Sequence, residues 1–447
     1  MSNELASDLK TFFTEDAIEK IAKETEFVKR ESGKINGVTF LNTILTANFD
    51  NNSLSLNDLS SDFANYYSIK IRKQSIDERF SKQSVEFLKK LVEDRLKEIL
   101  KKNMSAFTFS DNFKSIRIKD STSFQLPENM TNKYPGSGGS ASSSQIRIQF
   151  EYDLKTGYIF ELSLSGFNKN DQTNAVNTLS TVEEGDLLIR DLGYVSISVM
   201  ISINEKNAFF LNRLNTTTEA YFNFDDNNPI NFINIAAELK KKQLQRIEKH
   251  VFIGKNKQLK VRMIVERLSD ETIEARLRKA NKEAEKKGAV MSKEKKARMS
   301  LNIYITNISE DLLPVEKIRF LYSMRWQIEL IFKVWKSIGK IHEIKKMKVE
   351  RFETMLYAKL LWLILNWSVF WRIAKDIWLK NGIILSMYKT YKSLRNMLPD
   401  FRFVLLKKTT MVQYINQIIT IAPDNMQFEK KKDSLALYEI IIILCYS

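Results

Sequence analysis

Hydrophobic and polar positions in the first hundred residues recur with the spacing of amphipathic helices. The pattern predicts a helix over about 56–66, a short helix within 73–80 and a long one over 84–100. Two helices joined by a short turn are the outline of a helix-turn-helix, which would place Lys73 and Arg79 near DNA. Plain packing of small helices explains the same pattern equally well, so both interpretations stay open.

Near residue 106 the pattern changes to the two-residue alternation of strands. The segments FKSIRIKD (113–120), QIRIQFEYDL (145–154) and YIFELSLSGF (158–167) alternate in this way, and the last two predict a hairpin. Between the first strand and the hairpin lies YPGSGGSASSS (134–144), which lacks the Gly-Lys-Ser/Thr ending of a phosphate-binding loop. That segment therefore predicts a mobile loop and not a nucleotide site.

Strand and helix patterns continue after the hairpin, although 215–306 is less regular than the rest of the chain. A strong helix is predicted from Pro314 to about Lys340, and 346–447 is mostly helical and rich in Trp and Leu. The further predicted elements are a helical segment at 170–184, strands at 187–189 and 207–214, strands within 246–267, a charged helix at 271–288 and a strand at 301–307.

The charge of the chain is strongly uneven. The 447 residues carry a formal charge of +16, but residues 1–200 have a net charge of −3 and residues 201–447 a net charge of +19. Such a basic half favours a polyanion, with nucleic acid first and an anionic membrane second; solubility alone is the alternative. The ten Lys and Arg residues from Arg276 to Arg298 fit either a solvated face or a contact to the DNA backbone.

Cysteine and histidine are too scarce for most metal chemistry. A single cysteine, Cys445, excludes a disulfide scaffold and a multi-cysteine zinc site, and there are only two histidines. Any catalysis must therefore depend on carboxylates. The acidic N-terminus and the short apolar runs at 360–371 and 440–445 predict no signal peptide and no membrane span, and thus a cytoplasmic protein.

Candidate carboxylates lie at strand ends and on one helix. Asp120 and Asp191 each follow a short predicted strand, where α/β folds place catalytic groups. On a helix that advances about 100° per residue, Tyr322, Arg325, Glu329 and Lys336 share a stripe about 60° wide, with Lys333 beside it. An ordinary solvated face is the alternative, but apolar residues on both sides of the stripe favour a functional cleft.

Three converging carboxylates would suit a pair of divalent cations. Oxygen ligands favour Mg²⁺, with Mn²⁺ as a substitute. Two such ions hold both the attacking and the leaving oxygen of a phosphodiester displacement. The neighbouring Arg325 and Lys336 would then meet DNA phosphate.

These motifs resemble those of a known family. The spacing of Tyr322, Arg325, Glu329 and Lys336 is similar to the Y-R-E-K signature of bacterial insertion-sequence transposases of the insertion-sequence-four family. The segments KDSTSFQLP around Asp120 and RDLGY around 191 resemble the two aspartate motifs of these DDE transposases, and YPGSGGSASS resembles their glycine-serine segment. The resemblance covers nearly the whole chain.

The resemblance implies an α/β fold with a ribonuclease-H-like catalytic core, a mixed sheet with flanking helices that is interrupted by a strand-rich insertion. Asp120, Asp191 and Glu329 would bind the metal ions, and Tyr322, Arg325 and Lys336 would hold phosphate. The implied segments are a helical N-terminal DNA-binding domain (1–105), the first part of the core (106–214), the insertion (215–306), the Glu-bearing helix (307–345) and a helical C-terminal dimerisation domain (346–447).

The implied activity is cut-and-paste transposition of double-stranded DNA by a homodimer. Water would nick each transposon end, a DNA hairpin would form and reopen, and the 3′ end would join target DNA. Hairpin formation involves a flipped base that stacks on an aromatic side chain. All six Trp residues lie between 326 and 378, so the candidates within the insertion are Phe222, Phe224, Phe232 and Phe252. A catalytically inactive relic that acts as a DNA-binding inhibitor, and a stand-alone nuclease, remain alternatives.

Overall fold

A nine-stranded mixed sheet forms the middle of the computed structural model, which describes residues 2–29, 35–47, 55–101, 112–137, 143–286 and 288–429. The strand order is β3-β2-β1-β4-β5-β9-β8-β7-β6. Strands β1, β4 and β5 are parallel to each other, and every other neighbouring pair is antiparallel. The strands are β1 (Ser115–Gln125), β2 (Gln145–Asp153), β3 (Ile159–Gly166), β4 (Asp186–Arg190), β5 (Phe209–Arg213), β6 (Ala220–Tyr221), β7 (Arg246–Ile253), β8 (Leu259–Arg267) and β9 (Leu301–Thr306).

Helices precede, cover and follow this sheet. They are α1 (Ser2–Phe12), α2 (Glu15–Glu24), α3 (Gly37–Ala47), α4 (Leu56–Tyr67), α5 (Lys73–Arg79), α6 (Lys82–Lys101), α7 (Asp171–Asn177), α8 (Ile197–Glu205), α9 (Phe232–Lys241), α10 (Asp270–Glu285), α11 (Lys293–Met299), α12 (Val315–Ser323), α13 (Trp326–Ser337), α14 (Val349–Asn381), α15 (Met387–Asn396), α16 (Leu398–Leu405) and α17 (Met411–Asn425).

The alternation along β1 places two different environments on the two faces of the sheet. Ile116 and Ile118 are fully buried in the main hydrophobic core. Arg117 and Lys119 point to the opposite face and are equally buried, where both form ion pairs with Glu151 of β2. Burial without a partner would be very costly for these charges, so the ion pairs are what makes the polar face of the sheet possible.

Strands β6 to β9 extend the same sheet beyond β5. The backbone of Arg213, the last residue of β5, is the antiparallel partner of Tyr304 in β9. Residues 215–306 therefore begin after β5 and end in β9, the strand directly beside β5. Helices α9, α10 and α11 come from this span. The boundaries of the five predicted domains stay predictions.

The long helix α14 forms much of the core with α6 and contains most of the Trp residues. Trp362, Trp367 and Trp371 are each at most 7 % exposed, as expected for core residues. The indole Nε1–H of Trp367 donates to the carbonyl oxygen of Gly157 at 2.8 Å and links α14 to the turn between β2 and β3. Within the described part of the chain, no helix is long and apolar enough to cross a membrane.

Two local predictions were wrong. Strand β1 does not end before Asp120 but continues to Gln125, because β2 pairs with it throughout and satisfies its backbone groups. The helix expected from Pro314 to Lys340 is two helices, α12 and α13, since the backbone hydrogen bonds tighten to three-residue spacing around Met324 and Arg325. The apolar run at 440–445 and residues 138–142 of the predicted loop lie outside the described residues.

Candidate functional site

Asp120 and Asp191 lie side by side where the pairing of two neighbouring parallel strands ends. The parallel pairing of β1 with β4 ends at Lys119 and Arg190, so the two aspartates are the next residues on either strand. Adjacent strands are about 4.8 Å apart, which brings these carboxylates close together. Sheet register thus joins two residues that are far apart in the sequence.

Glu329 reaches the two aspartates through Arg325. The Nη2 group of Arg325 donates to Oε1 of Glu329 at 2.7 Å, and its Nη1 group donates to Oδ2 of Asp120 at 3.2 Å. Its Nε atom lies 3.8 Å from Oδ1 of Asp191. One guanidinium therefore contacts all three predicted catalytic carboxylates.

The electrostatics of this cluster are those of partly buried carboxylates around one internal cation. Burial raises the pKa of Asp120 to about 6; the Ser121 amide and Arg325 lower it, and Asp191 and Glu329 raise it further. Burial alone would lower the pKa of Arg325, but the surrounding carboxylates raise it overall. A bound cation would be favoured here, because it would relieve the crowding of negative charge.

The other residues of the signature stripe separate once the helix is interrupted. The Lys336 ammonium donates to the carbonyl oxygen of Ser123, three residues beyond Asp120 on β1, at 3.0 Å. Tyr322 is only 8 % exposed, and its ring packs 5.3 Å from that of Tyr304 on β9. The exposed Lys333 lies 5.9 Å from the ring centre of Tyr388 on α15, away from these contacts.

The two N-terminal candidates lie on the short helix α5. Lys73 is exposed at its start, and Arg79 at its end lies 5.9 Å from the ring centre of Phe27. Helix α5 is fixed to the start of α14 by Lys348, whose ammonium forms an ion pair with Asp77 at 3.2 Å. Helices α4, α5 and α6 follow each other as the sequence predicts, but no described contact links α5 to the carboxylates.

The aromatic candidates of the insertion differ in exposure. Phe232 is completely buried in the second hydrophobic core and cannot stack on a base. Phe224 is 58 % exposed and Phe222 is 44 % exposed. The half-buried Phe252 supports Phe224, with ring centres 5.6 Å apart.

One residue next to the site was not predicted. Arg213 ends β5, which is parallel to β4, so it reaches the edge of the sheet that carries Asp191. Its guanidinium carbon lies 5.7 Å from the ring centre of Tyr322. The signal was available in the sequence, because Arg213 lies near the end of the strand predicted at 207–214.

The donor set fits divalent metal ions. All three side chains offer carboxylate oxygens, which suit Mg²⁺ or Mn²⁺. Within the described residues, no three acidic, histidine or cysteine side chains are grouped as closely as the ligands of one metal ion. At this site the guanidinium of Arg325 lies among the three carboxylates.

Comparisons with known proteins identify the family of the chain. The profile of the family described as Transposase DDE domain matches residues 111–365. The chain is 32% identical over 434 residues to the transposase for insertion sequence element IS231B of Bacillus thuringiensis subsp. berliner, with 91% of this chain and 90% of the relative covered. It is 30% identical over 445 residues to the transposase for insertion sequence element IS1151 of Clostridium perfringens, with 95% of this chain and 92% of the relative covered.

Proposed function

The chain belongs to the DDE transposases of the bacterial insertion-sequence-four family, and from this premise we propose that it moves its own element by cut-and-paste. It binds the terminal inverted repeats, cleaves the ends through a DNA hairpin and transfers the 3′ ends into target DNA. The convergence of Asp120, Asp191 and Glu329 on Arg325 carries this proposal. Two copies of the chain pair the two ends in one complex.

The sheet supports a ribonuclease-H-like core. Strands β3, β2 and β1 form an antiparallel unit, and β4 and β5 continue it in parallel with β1. Asp120 comes from the central strand, Asp191 from the end of its parallel neighbour, and Glu329 from a helix that packs on β1. Carboxyl ends of parallel strands are where α/β folds place their sites.

We assign the chemistry to the three carboxylates. Asp120, Asp191 and Glu329 would hold two Mg²⁺ ions, with Mn²⁺ as a substitute, which supply an activated water and stabilise the leaving 3′ oxygen. The carboxylates position the attacking oxygen in line with the scissile bond. Arg325, once displaced from them, and Lys336 bind the non-bridging oxygens of the phosphate.

Outside the site, the DNA backbone is bound by the basic half of the chain, residues 201–447. The second half of helix α10 carries three exposed cations, Arg278, Lys279 and Lys282. We propose that this helix contacts the DNA backbone, which is the sequence-independent part of binding. Lys73 and Arg79 on α5 would add a few specific side-chain contacts to the terminal repeat.

The test of the proposal separates binding from cleavage. Duplexes that carry the terminal repeats of the element, read from the DNA that flanks its gene, are incubated with wild type and with Glu329→Gln, with and without Mg²⁺. We expect Mg²⁺-dependent cleavage by wild type and none by the variant, with equal binding of both to the duplex. Cleavage by Glu329→Gln at the wild-type rate would remove Glu329 from the site.

A stand-alone nuclease is separated from a transposase by its products. Joined donor–target DNA is expected from a transposase, and free cut ends alone from a nuclease. A wild-type protein that binds the ends without any metal-dependent cleavage would instead be an inactive relic that inhibits transposition. The intact Asp120, Asp191 and Glu329 argue against that alternative.

A further inference from the structure

A second group of cations lies beside the carboxylates, on the Asp191 side. Arg213 is the last residue of β5, and the pairing of Leu211 with Ile189 places it level with Asp191 at the edge of the sheet. Its guanidinium faces the ring of Tyr322, and Tyr322 precedes Arg325 by one turn. Arg213 is thus separated from the carboxylate cluster by one aromatic side chain.

Arg276 of α10 reaches the same place from above the sheet. Nη2 of Arg213 and Nη2 of Arg276 both donate to Oδ1 of Asn302 on β9, at 2.8 and 3.2 Å. Asn302 is only 5 % exposed, so this shared acceptor is fixed within the fold. One neutral amide oxygen therefore holds two positive side chains together.

The charge of this pair is not balanced within the described residues. Neither Arg213 nor Arg276 forms an ion pair with a carboxylate there, and the Nε–H of Arg213 is buried without an acceptor. Burial lowers the pKa of Arg276, and the nearby Arg213 and Arg319 lower it further. Glu266, the cross-strand partner of Asn302 on β8, interacts with Arg319 and Arg246.

Two half-buried guanidiniums that share one acceptor and keep free donors form an anion site. Guanidinium groups bind phosphate oxygens with two parallel hydrogen bonds, and they lose less hydration than an ammonium does. The cost of holding like charges together is offset only when an anion arrives. The exposed cations on the outer face of α10 have no such arrangement.

We propose that Arg213 and Arg276, held by Asn302, form a binding site for a backbone phosphate of the DNA strand that enters the active site. The site lies past Tyr322 from the carboxylates, so its phosphate is a neighbour of the scissile one and not the scissile phosphate itself. This inference rests on the proposed function, because it extends the same DNA path.

The test compares binding of a terminal-repeat duplex in EDTA, where no cleavage occurs, over a range of salt concentrations. Arg213→Gln and Arg276→Gln should each weaken binding about tenfold or more at low salt. Each should also reduce the slope of log affinity against log salt by about one. Lys317→Gln, which removes an exposed cation on α12 outside the proposed DNA contacts, is the control and should change affinity less than about threefold.

Thermal unfolding of the same proteins separates binding from a structural role. Removal of one of two repelling cations should leave the melting temperature unchanged or raise it. Arg276→Lys keeps the positive charge but loses the two parallel hydrogen bonds of a guanidinium. This variant should retain the salt slope and lose part of the affinity. Unchanged affinity and slope in both Gln variants, or loss of folding in both, would overturn the inference even if wild type cleaves the ends normally.

Discussion

Nη1 of Arg325 donates a hydrogen bond to Oδ2 of Asp120 at 3.2 Å, across 205 positions of the sequence. The same guanidinium contacts Asp191 and Glu329. A metal-free site of three carboxylates would repel itself, and this arginine neutralises part of that charge within the fold. Arg325 therefore has two expected roles, as an internal cation before metal binding and as a phosphate ligand afterwards.

Replacement of Arg325 should make the melting temperature of the protein depend more strongly on Mg²⁺. We expect Arg325→Gln to melt at a lower temperature than wild type in EDTA, because three partly buried carboxylates lose their shared partner. Mg²⁺ should raise the melting temperature of the variant more than that of wild type. End cleavage should fall by roughly 100-fold, as for other groups that stabilise developing charge.

The control for this experiment is Lys317→Gln, an exposed cation on α12. It should respond to Mg²⁺ as wild type does. An equal Mg²⁺ shift in Arg325→Gln and wild type would mean that Arg325 does not occupy the place of the metal ions.

The two lysines of α13 should behave differently. Lys336 donates to Ser123 on β1, the strand that carries Asp120, whereas Lys333 lies against Tyr388 on α15. We expect Lys336→Gln to reduce single-turnover cleavage by about tenfold or more, and Lys333→Gln to change it by less than about threefold. A larger loss with Lys333→Gln would place the phosphate on the α15 side of the helix.

The buried charges beneath β1 should dominate stability on that face. Glu151 is fully buried and forms ion pairs with Arg117, Lys119 and Arg190. Glu151→Gln leaves three buried cations without their shared partner, so urea unfolding should show a loss of about 3–5 kcal/mol. Glu183→Gln breaks only an exposed pair with Lys114 and should cost under about 1 kcal/mol.

The same glutamate predicts the response to acid. Burial alone would raise the pKa of Glu151, but Arg190, Arg117 and Lys119 outweigh it and lower the pKa to about 2. Because the folded-state pKa lies below the ordinary value of 4.5, this stabilisation is complete above about pH 4.5 and disappears as the pH falls toward 2. Wild type should therefore lose stability over this interval more steeply than Glu151→Gln, measured by urea unfolding at each pH.

The exposed aromatics of the insertion give a test of the hairpin step. Phe224→Ala should leave stability nearly unchanged, since its ring is 58 % exposed, and should lower the yield of hairpin product relative to the first nick. Phe222→Ala is the matched variant on the same segment. Phe232→Ala should instead cost about 3–5 kcal/mol, because this ring is fully buried. Equal hairpin yields in wild type and both exposed variants would exclude this segment as the stacking platform.

Periodicity predicted most elements because each depends on neighbouring residues. The alternation in 113–167 gave three strands, and Ser55 with Asp58 forms the capping box that begins α4 where a helix was expected. The pattern could not show that β1 continues past Asp120, because that continuation depends on pairing with β2, more than twenty residues further along the chain.

The sequence pointed to the members of the candidate site but could not give their contacts. Strand ends and the polar stripe pointed to Asp120, Asp191 and Glu329, whereas the central place of Arg325 depends on how α13 packs on β1. The same packing, and the tightened turn before it, separates Tyr322 from Lys333 although one helical stripe would join them. The complete burial of Arg117 and Lys119 could not be predicted either, because their ion pairs with Glu151 depend on the register between β1 and β2.

The return of the chain to the sheet at Arg213 and Tyr304 has a consequence for the evolution of such proteins. Since β5, which directly precedes the 215–306 span, pairs with β9 at the end of that span, the span begins and ends at neighbouring positions in the sheet. Its length can change at small entropic cost, without altering the spacing of Asp120, Asp191 and Glu329. The catalytic frame of such proteins therefore tolerates variation in the length of this span.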